Sequence, residues 1–559
     1  MKNLLKALLI PAVVLCALSV NVHAQSTKFN AIGSSAIFLE VGEAAYSKSA
    51  ASCAWSTGTN GQVVATDTST GSSLTDTGAA WVVWVPSGTN TCATDATPSA
   101  VYGYLQTDSV VGNRCLFNAQ LATPKCSISY ALAAGTAAAG KIEGASEVSL
   151  PASVAASLTG TTVNAAGTDI RPEDAKFATT RALTPCGSTS GGTGSIAPFL
   201  GLGYTNGGDI LSFFSSSKFH VINFTLPATY NVQPIGLDPM VVTINSTEAA
   251  GVGFNNSLIK TITRAQLALY LDGSLGTTSV IVPGGVTASA NKPTTVMVRE
   301  PLSGTYNTME YNVPNTSMMQ TSQDVGVLQP ASQVNCSGTV PASNPMAISN
   351  TGTGGGNMGW RYRTIGTGQE LAETFATNNA LGYSFWGVSN FAAAPATARY
   401  LMVDGQDPIE GTYVDGTIPT TTAQYAKVTF SNLANGGYPI WSLVRLVTVG
   451  AGAKAVAHGL ALAAGTFSTS THPDFLAYYN SKGGSNITIE RSHFAPPGIN
   501  FNATNQPANN GYVAGPGYGA CTTAEAGGDV GGVILRIVTV DQAYCTQNGS
   551  TYGIINRRY

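Results

Sequence analysis

The chain has 559 residues, of which only 10% are charged, and carries a formal net charge of −3. This near-neutral balance, with no run of basic residues, excludes a nucleic-acid partner recognised through a positive surface. The length suffices for two or three domains with substantial cores.

Lys2 and Lys6 precede a mostly apolar stretch over 4–18, and Val22-His23-Ala24 offers a small-residue cleavage site before Gln25. The pattern predicts a signal peptide over 1–24 and a periplasmic or secreted mature protein. Leu15 before Cys16 argues against lipid attachment. Loss of the two lysines would take the net charge to about −5. No later apolar run approaches the roughly 20 residues of a membrane helix, so no membrane span is expected in the mature chain. Eight further cysteines, Cys53, Cys92, Cys115, Cys126, Cys186, Cys336, Cys521 and Cys545, suit an exported, disulfide-bearing protein. Short spacing favours Cys115–Cys126 and Cys521–Cys545 among the roughly 105 pairings possible. There is no C-x-x-C and no H-E-x-x-H, so neither a metal nor another cofactor is expected.

Residues 30–46 predict a strand, the turn Gly33-Ser34-Ser35, and a helix with Ile37, Phe38, Val41, Ala44 and Ala45 on one face. From 50 to about 165 the chain is rich in Thr, Gly and Ser, with alternating segments such as 80–85, which predicts a β-rich segment of hairpins. In that segment Trp81 and Trp84 fall on opposite strand faces, with one of them expected in the core. Residues 186–218 predict a loop. Strands and helices then alternate: a buried strand over 239–245, a helix over 263–271 capped by Thr263, a strand over 427–430, another over 441–449, and helices over 453–464 and 472–481. A strong strand over 532–540 stands in an otherwise Gly/Asn-rich tail. This alternation predicts α/β architecture.

The most informative stretch is Arg299-Glu300-Pro301-Leu302-Ser303-Gly304-Thr305. It joins an apolar strand at 294–298 to a helix over 306–313. An arginine at the strand end and Ser-Gly-Thr at the helix start suit capture of a small oxyanion. The helix N-terminus offers unpaired amides and partial positive charge. Gly304 admits close approach, Ser303 and Thr305 add hydroxyls, and Arg299 adds a planar fork of donors. Gly33-Ser34-Ser35 is a second such helix start, and Asp169 stands at a predicted strand end before Arg171-Pro172. The plainer alternative at each place is an ordinary capped junction.

Taken in order, these motifs, with Leu381-Gly382-Tyr383-Ser384-Phe385, Val403-Asp404-Gly405, Pro408 and Gly437-Tyr438-Pro439-Ile440, resemble the phosphate-binding periplasmic proteins of ABC importers. The resemblance covers 26–47, 163–185 and 220–482. It implies a type 2 periplasmic-binding-protein fold of two α/β lobes joined by crossing strands, with the anion between them. The implied divisions are 25–230 as lobe 1 with a disulfide-bearing insertion at about 50–160, 231–436 as lobe 2, 437–485 as the return to lobe 1, and 486–559 as a C-terminal extension. By position, Ser35 matches the first-loop hydroxyl donor, with Ser34 beside it as a second candidate hydroxyl, Asp169 matches the acceptor of the phosphate's proton, and Arg299, Ser303, Gly304 and Thr305 match the arginine and its cradle.

The chain departs from the family in three places. Ala36 follows the first-loop hydroxyl, and Pro301 stands where an aspartate would orient the arginine. The Ser-Ser-Gly-Gly donor loop could correspond either to Ser56 or to residues 188–191. The expectation is an exported solute-binding protein, not an enzyme, that takes an inorganic oxyanion such as phosphate and partners the membrane component of an importer. The competing expectation is an envelope or cell-surface structural protein that reuses the fold without transport. No paired nucleophile and base is visible to support a hydrolase.

Overall fold

The computed structural model describes residues 27–57, 61–69, 74–94, 97–172, 175, 224–227, 229–271, 273, 275–278, 281, 291–299, 302–313, 346–351, 359–364, 366–410, 413–467, 474–480, 489–491, 533–537, 543–547 and 550–556. The expected signal peptide, Cys186, Cys336, Cys521 and residues 188–191 lie outside them.

The chain forms an α/β fold of two sheets linked by long strands. In the first half, β1 (Thr27–Gly33) leads to α1 (Phe38–Ser47). Then come β2 (Cys53–Thr57), β3 (Val64–Asp67), β4 (Leu74–Thr77), β5 (Ala80–Val85), β6 (Ala100–Gln106), α2 (Ser109–Ala119), β7 (Cys126–Ser129), α3 (Ala152–Thr159) and β8 (Ala165–Thr168). β6, β1 and β8 run parallel, and β5 and β2 extend the sheet antiparallel beyond β6. β1 is buried over its last five residues, as a parallel strand covered on both faces must be.

β9 (Asn231–Asn245) is the main crossing element. Its first half, Asn231 to Pro239, pairs with β16 (Trp441–Thr448), which in turn pairs with β8. Its second half enters the other sheet, flanked by β14 (Ala380–Phe385) and β15 (Ala398–Val403). That second sheet continues through β11 (Thr295–Arg299), β13 (Gly359–Thr364) and β12 (Met346–Thr351), with β10 (Thr261–Ile262) beyond β15. Its helices include α4 (Arg264–Leu271), α5 (Gly304–Asn312) and α6 (Gly366–Ala376). α7 (Ala451–Phe467) returns to pack on α1, and β17 (Leu476–Ala477) adds to β9 on the first sheet. This is a two-lobed arrangement. In the tail, β18 (Ile489–Arg491), β19 (Val533–Ile537), β20 (Ala543–Gln547) and β21 (Ser550–Asn556) form a separate four-stranded sheet.

Several expectations are met at the level of single residues. Thr263 caps α4 reciprocally: its hydroxyl accepts from the Gln266 amide at 3.1 Å, and its own amide donates to the Gln266 side chain at 2.9 Å. The 294–298 and 441–449 strands and the 453–464 helix all form, and Cys115–Cys126 is a disulfide.

Others are corrected. Residues 427–430 are not a strand: Val428 makes one isolated bridge to Glu410, and Phe430 has φ 50°. The helix expected over 472–481 is a short strand, because Leu476 and Ala477 pair with β9 instead. Cys53 pairs with Cys92, a bridge the spacing did not single out. Trp81 and Trp84 are both fully buried, in two separate cores on either side of the sheet. The segment at 50–160 is β-rich but also supplies α2 and α3, and its β6 is a direct neighbour of β1.

The inner face of α1 carries two buried glutamates. Burial, and then the charges of Asp474 and Glu143, push the Glu43 carboxyl up to about 9, against the partial relief of a hydrogen bond from the Glu143 amide. Burial pushes Glu40 well above its ordinary value too, reinforced by Asp474, Glu43 and Glu143. Unfolded, Glu43 would ionise near 4.5, so between that value and about 9 the unfolded chain holds fewer protons than the folded one. Rising pH therefore favours unfolding across that window, and the loss is complete once the folded pKa is passed. The melting midpoint is expected to fall steadily from about pH 5 to about pH 9, and Glu43→Gln is expected to flatten that slope. Equal slopes for the two proteins in differential scanning calorimetry would contradict the assignment.

Candidate functional site

The parallel strands of both sheets deliver their carboxyl ends to one region, the place where open α/β sheets bind ligands. Gly33 ends β1 with φ +139°, and a Cβ there would lie 2.1 Å from the Gly167 carbonyl oxygen, so only glycine allows the two loops to touch. The Ser34 amide donates to that carbonyl at 2.9 Å. The Ser34 hydroxyl accepts from the Ala36 amide at 3.1 Å and donates to the Asp169 carboxylate. Tyr104 holds the loop from below: its hydroxyl donates to the Ser34 carbonyl at 2.7 Å, and its ring stacks on Trp81.

β6 ends beside β1, where the Thr107 amide donates to the Gly33 carbonyl at 2.7 Å. Asp108 occupies the N-cap of α2, and the Ser109 hydroxyl accepts from the Asp169 amide at 3.0 Å. Asp169 follows β8 and is 2% exposed. Its backbone carbonyl accepts from the Ser442 hydroxyl of β16. Burial raises its carboxyl to about 6, against the opposing pull of the Ser34 hydrogen bond and the positive charges of Arg299 and Arg445. The group is thus mainly ionised at neutral pH.

From the second lobe, Arg299 ends β11 and is 1% exposed. Its Nη1 donates to the hydroxyls of Thr305 at 3.3 Å and Thr367 at 3.1 Å, and its Nη2 lies 3.5 Å from Asp108 Oδ1. Its amide donates to the Tyr383 hydroxyl at 3.2 Å. Glu370 of α6 braces this frame, accepting from the Tyr383 amide at 3.0 Å and from the Thr364 hydroxyl. Ser303 caps α5, accepting from the Thr305 amide at 3.1 Å, while its carbonyl accepts from the Asn307 side chain at 2.8 Å. A Cβ on Gly304 would lie 2.2 Å from both Asp169 Oδ2 and Ser109 Oγ, so the start of α5 sits directly against the first lobe.

The lobes meet through named contacts. The Val110 amide donates to the Leu302 carbonyl at 3.2 Å, Ser35 and Thr367 share a hydrogen bond at 3.0 Å, and Asp108 faces Arg299. The starts of α2, α5 and α6 and of the turn before α1 therefore converge. Their amide dipoles, six hydroxyls (Ser34, Ser35, Ser109, Ser303, Thr305 and Thr367), one arginine and one buried, mainly ionised aspartate form a set of donors and acceptors of the kind that suits a small tetrahedral oxyanion.

All seven residues expected from the sequence, Ser34, Ser35, Asp169, Arg299, Ser303, Gly304 and Thr305, fall in this one cluster. Their parts differ in detail. Ser34 rather than Ser35 bonds Asp169, and Ser35 reaches across to Thr367. Ser56 is not a donor here; it bonds Glu147 and secures the 140–147 loop. The residues that sequence reasoning missed are Asp108, Ser109 and Thr367. Gly366-Thr367-Gly368 after a strand was a visible signal of a helix start. Asp108-Ser109 was concealed because 50–160 looked peripheral.

No protein-family model and no curated protein matches the chain. Solved structures do resemble it. One is a high-affinity periplasmic phosphate-binding protein with bound phosphate, 12% identical, TM-score 0.30, covering 80% of this chain and 91% of that one. A phosphate-binding protein from Stenotrophomonas maltophilia is 14% identical, TM-score 0.29, covering 68% and 84%. A putative phosphate ABC transporter substrate-binding protein from Clostridium perfringens is 14% identical, TM-score 0.27, covering 44% and 72%. At such scores these structures lend no residue assignment to the present chain.

Asp169 and Ser109 are each fixed by hydrogen bonds and cannot yield to a new methyl group. Gly304→Ala is therefore expected to destabilise the fold by about 1–3 kcal/mol, the usual cost of overpacking. Chemical denaturation would measure it, and an unchanged midpoint would show that the two lobes are not in contact at Gly304.

Proposed function

We propose that this protein captures an inorganic oxyanion, phosphate above all, between its two lobes, outside the cytoplasm, and delivers it to the membrane component of an ABC importer. The observation that carries the reading is the convergence of Ser34, Ser109, Asp169, Arg299, Thr305 and Thr367 from five separate strand ends in two sheets. A structural role alone would not require a buried arginine and a buried aspartate at the meeting point of several helix starts.

Asp169 supplies selectivity. Phosphate at neutral pH keeps a proton that an ionised carboxylate can accept, whereas sulfate has none and would oppose Asp169 with acceptors only. The hydroxyls and helix-start amides would replace the hydration shell, and Arg299 would balance the charge. Lobe closure would bring Leu302 and Thr367 onto Val110 and Ser35, the contacts described above.

Isothermal titration of protein stripped of bound anion is expected to show phosphate binding well ahead of sulfate. Arg299→Ala should reduce phosphate affinity at least about 100-fold, since a buried charge-assisted contact is lost. Asp169→Asn should narrow the gap between the two anions. A parent protein that binds neither anion, with no thermal shift, would leave the structural role in the envelope as the better reading.

A further inference from the structure

We infer that Asp108 is a specificity-determining residue of this site: facing Arg299 across the cleft, it removes the excess positive charge that would let the site hold a fully deprotonated dianion. The inference rests on the oxyanion-binding reading given above.

Asp108 is first notable for what its side chain does not do. An aspartate at a helix N-cap ordinarily accepts from the amides of its own first turn. Here the 11-residue α2 has no such side-chain bond from its N-cap. The carboxylate instead approaches Arg299 Nη2, at 3.5 Å, on the other lobe. Both groups are buried. The hydroxyls of Thr305 and Thr367 already orient the guanidinium, so Asp108 adds charge more than direction.

Among the described residues, the charged groups about the site balance. Arg299 and the fully buried Arg445 both act on Asp169, and Asp108 and Asp169 themselves contribute two negative charges. Burial pushes the neighbouring Asp238 carboxyl well above its ordinary range, toward the neutral form. The protein thus presents little net charge to an incoming anion, and each additional negative charge on that anion is poorly compensated in a site with little water. Dihydrogen phosphate, which brings one negative charge where sulfate brings two and gives Asp169 a proton, is favoured over sulfate by both aspartates acting separately. Removing Asp108 leaves Asp169 in place but makes the set net positive.

The test uses the full-length mature protein, stripped of bound anion, titrated with inorganic phosphate and with sulfate at one fixed pH. Asp108→Asn and Asp108→Ser are both good helix N-caps, so α2 keeps its start. In each, the ratio of the sulfate Kd to the phosphate Kd is expected to fall at least about tenfold, while Asp108→Glu keeps it close to the parent value. A ratio within about twofold of the parent in a cooperatively melting Asn or Ser variant that still binds phosphate overturns the inference and leaves the oxyanion reading intact. Failure of both variants to melt cooperatively also overturns it, since Asp108 would then be a structural residue. A parent that binds neither anion ends the functional reading itself, before any variant is measured.

Discussion

One buried positive charge, among several in the molecule, organises the meeting of the two lobes. Arg299 lies at the end of a central strand with almost no access to water. A guanidinium so placed must be compensated, and removing a partner from a buried pair typically costs about 3–5 kcal/mol. The compensation comes from two lobes. Thr305 and Thr367 belong to the arginine's own lobe, while Asp108, and the field of Asp169, belong to the other. Neither lobe alone provides the set, so the arginine couples the joining of the lobes to the completion of the site.

The support beneath the site follows from the same need. A hydroxyl or carboxylate can serve a buried charge only if it is itself held. Ser34 is fixed by the chain Trp81–Tyr104–Ser34, Asp169 by Ser34, Ser109 and Ser442, and the Arg299 backbone by Tyr383, which Glu370 anchors. Glycines at 33, 167 and 304 stand where any side chain would separate these groups. The surroundings are accordingly stiff, and their bonding is largely complete within the protein.

Much of this was legible in the sequence, because it depends on local chemistry. A strand followed by Arg and then Ser-Gly-Thr announces a helix start with a charge beside it, and Ser303 caps as that pattern requires. Asp169 and the Gly33-Ser34-Ser35 turn were found for the same reason. What was not legible depends on long-range pairing. Ser109 and Asp108 become important only because β6 pairs with β1, some 70 residues away in sequence, and the Thr- and Ser-rich stretch around β6 gives no sign of it. The 427–430 and 472–481 segments failed likewise: local propensity pointed one way, but Val428 makes only an isolated bridge to Glu410, and Leu476 and Ala477 took partners offered by the distant β9.

The prolines of β9 have a mechanical meaning. Pro234 and Pro239 each lack the amide that a ladder rung requires; Pro234 sits beside the irregular step at Ile235, and Pro239 stands where the strand leaves the first sheet for the second, which begins at Met240. Residues 235–238, the last stretch held in the first sheet, lead straight into that switch, where relative rotation of the lobes would bend the strand. β17 splints that interval by pairing with Gly236 and Leu237, and the Tyr478 amide adds a bond to the Ile235 carbonyl at 2.8 Å. The polypeptide passes from this splint into the segment that bears the four tail strands. Tension applied to the C-terminal extension would thus act on the flexure itself, like a tendon inserted at a joint.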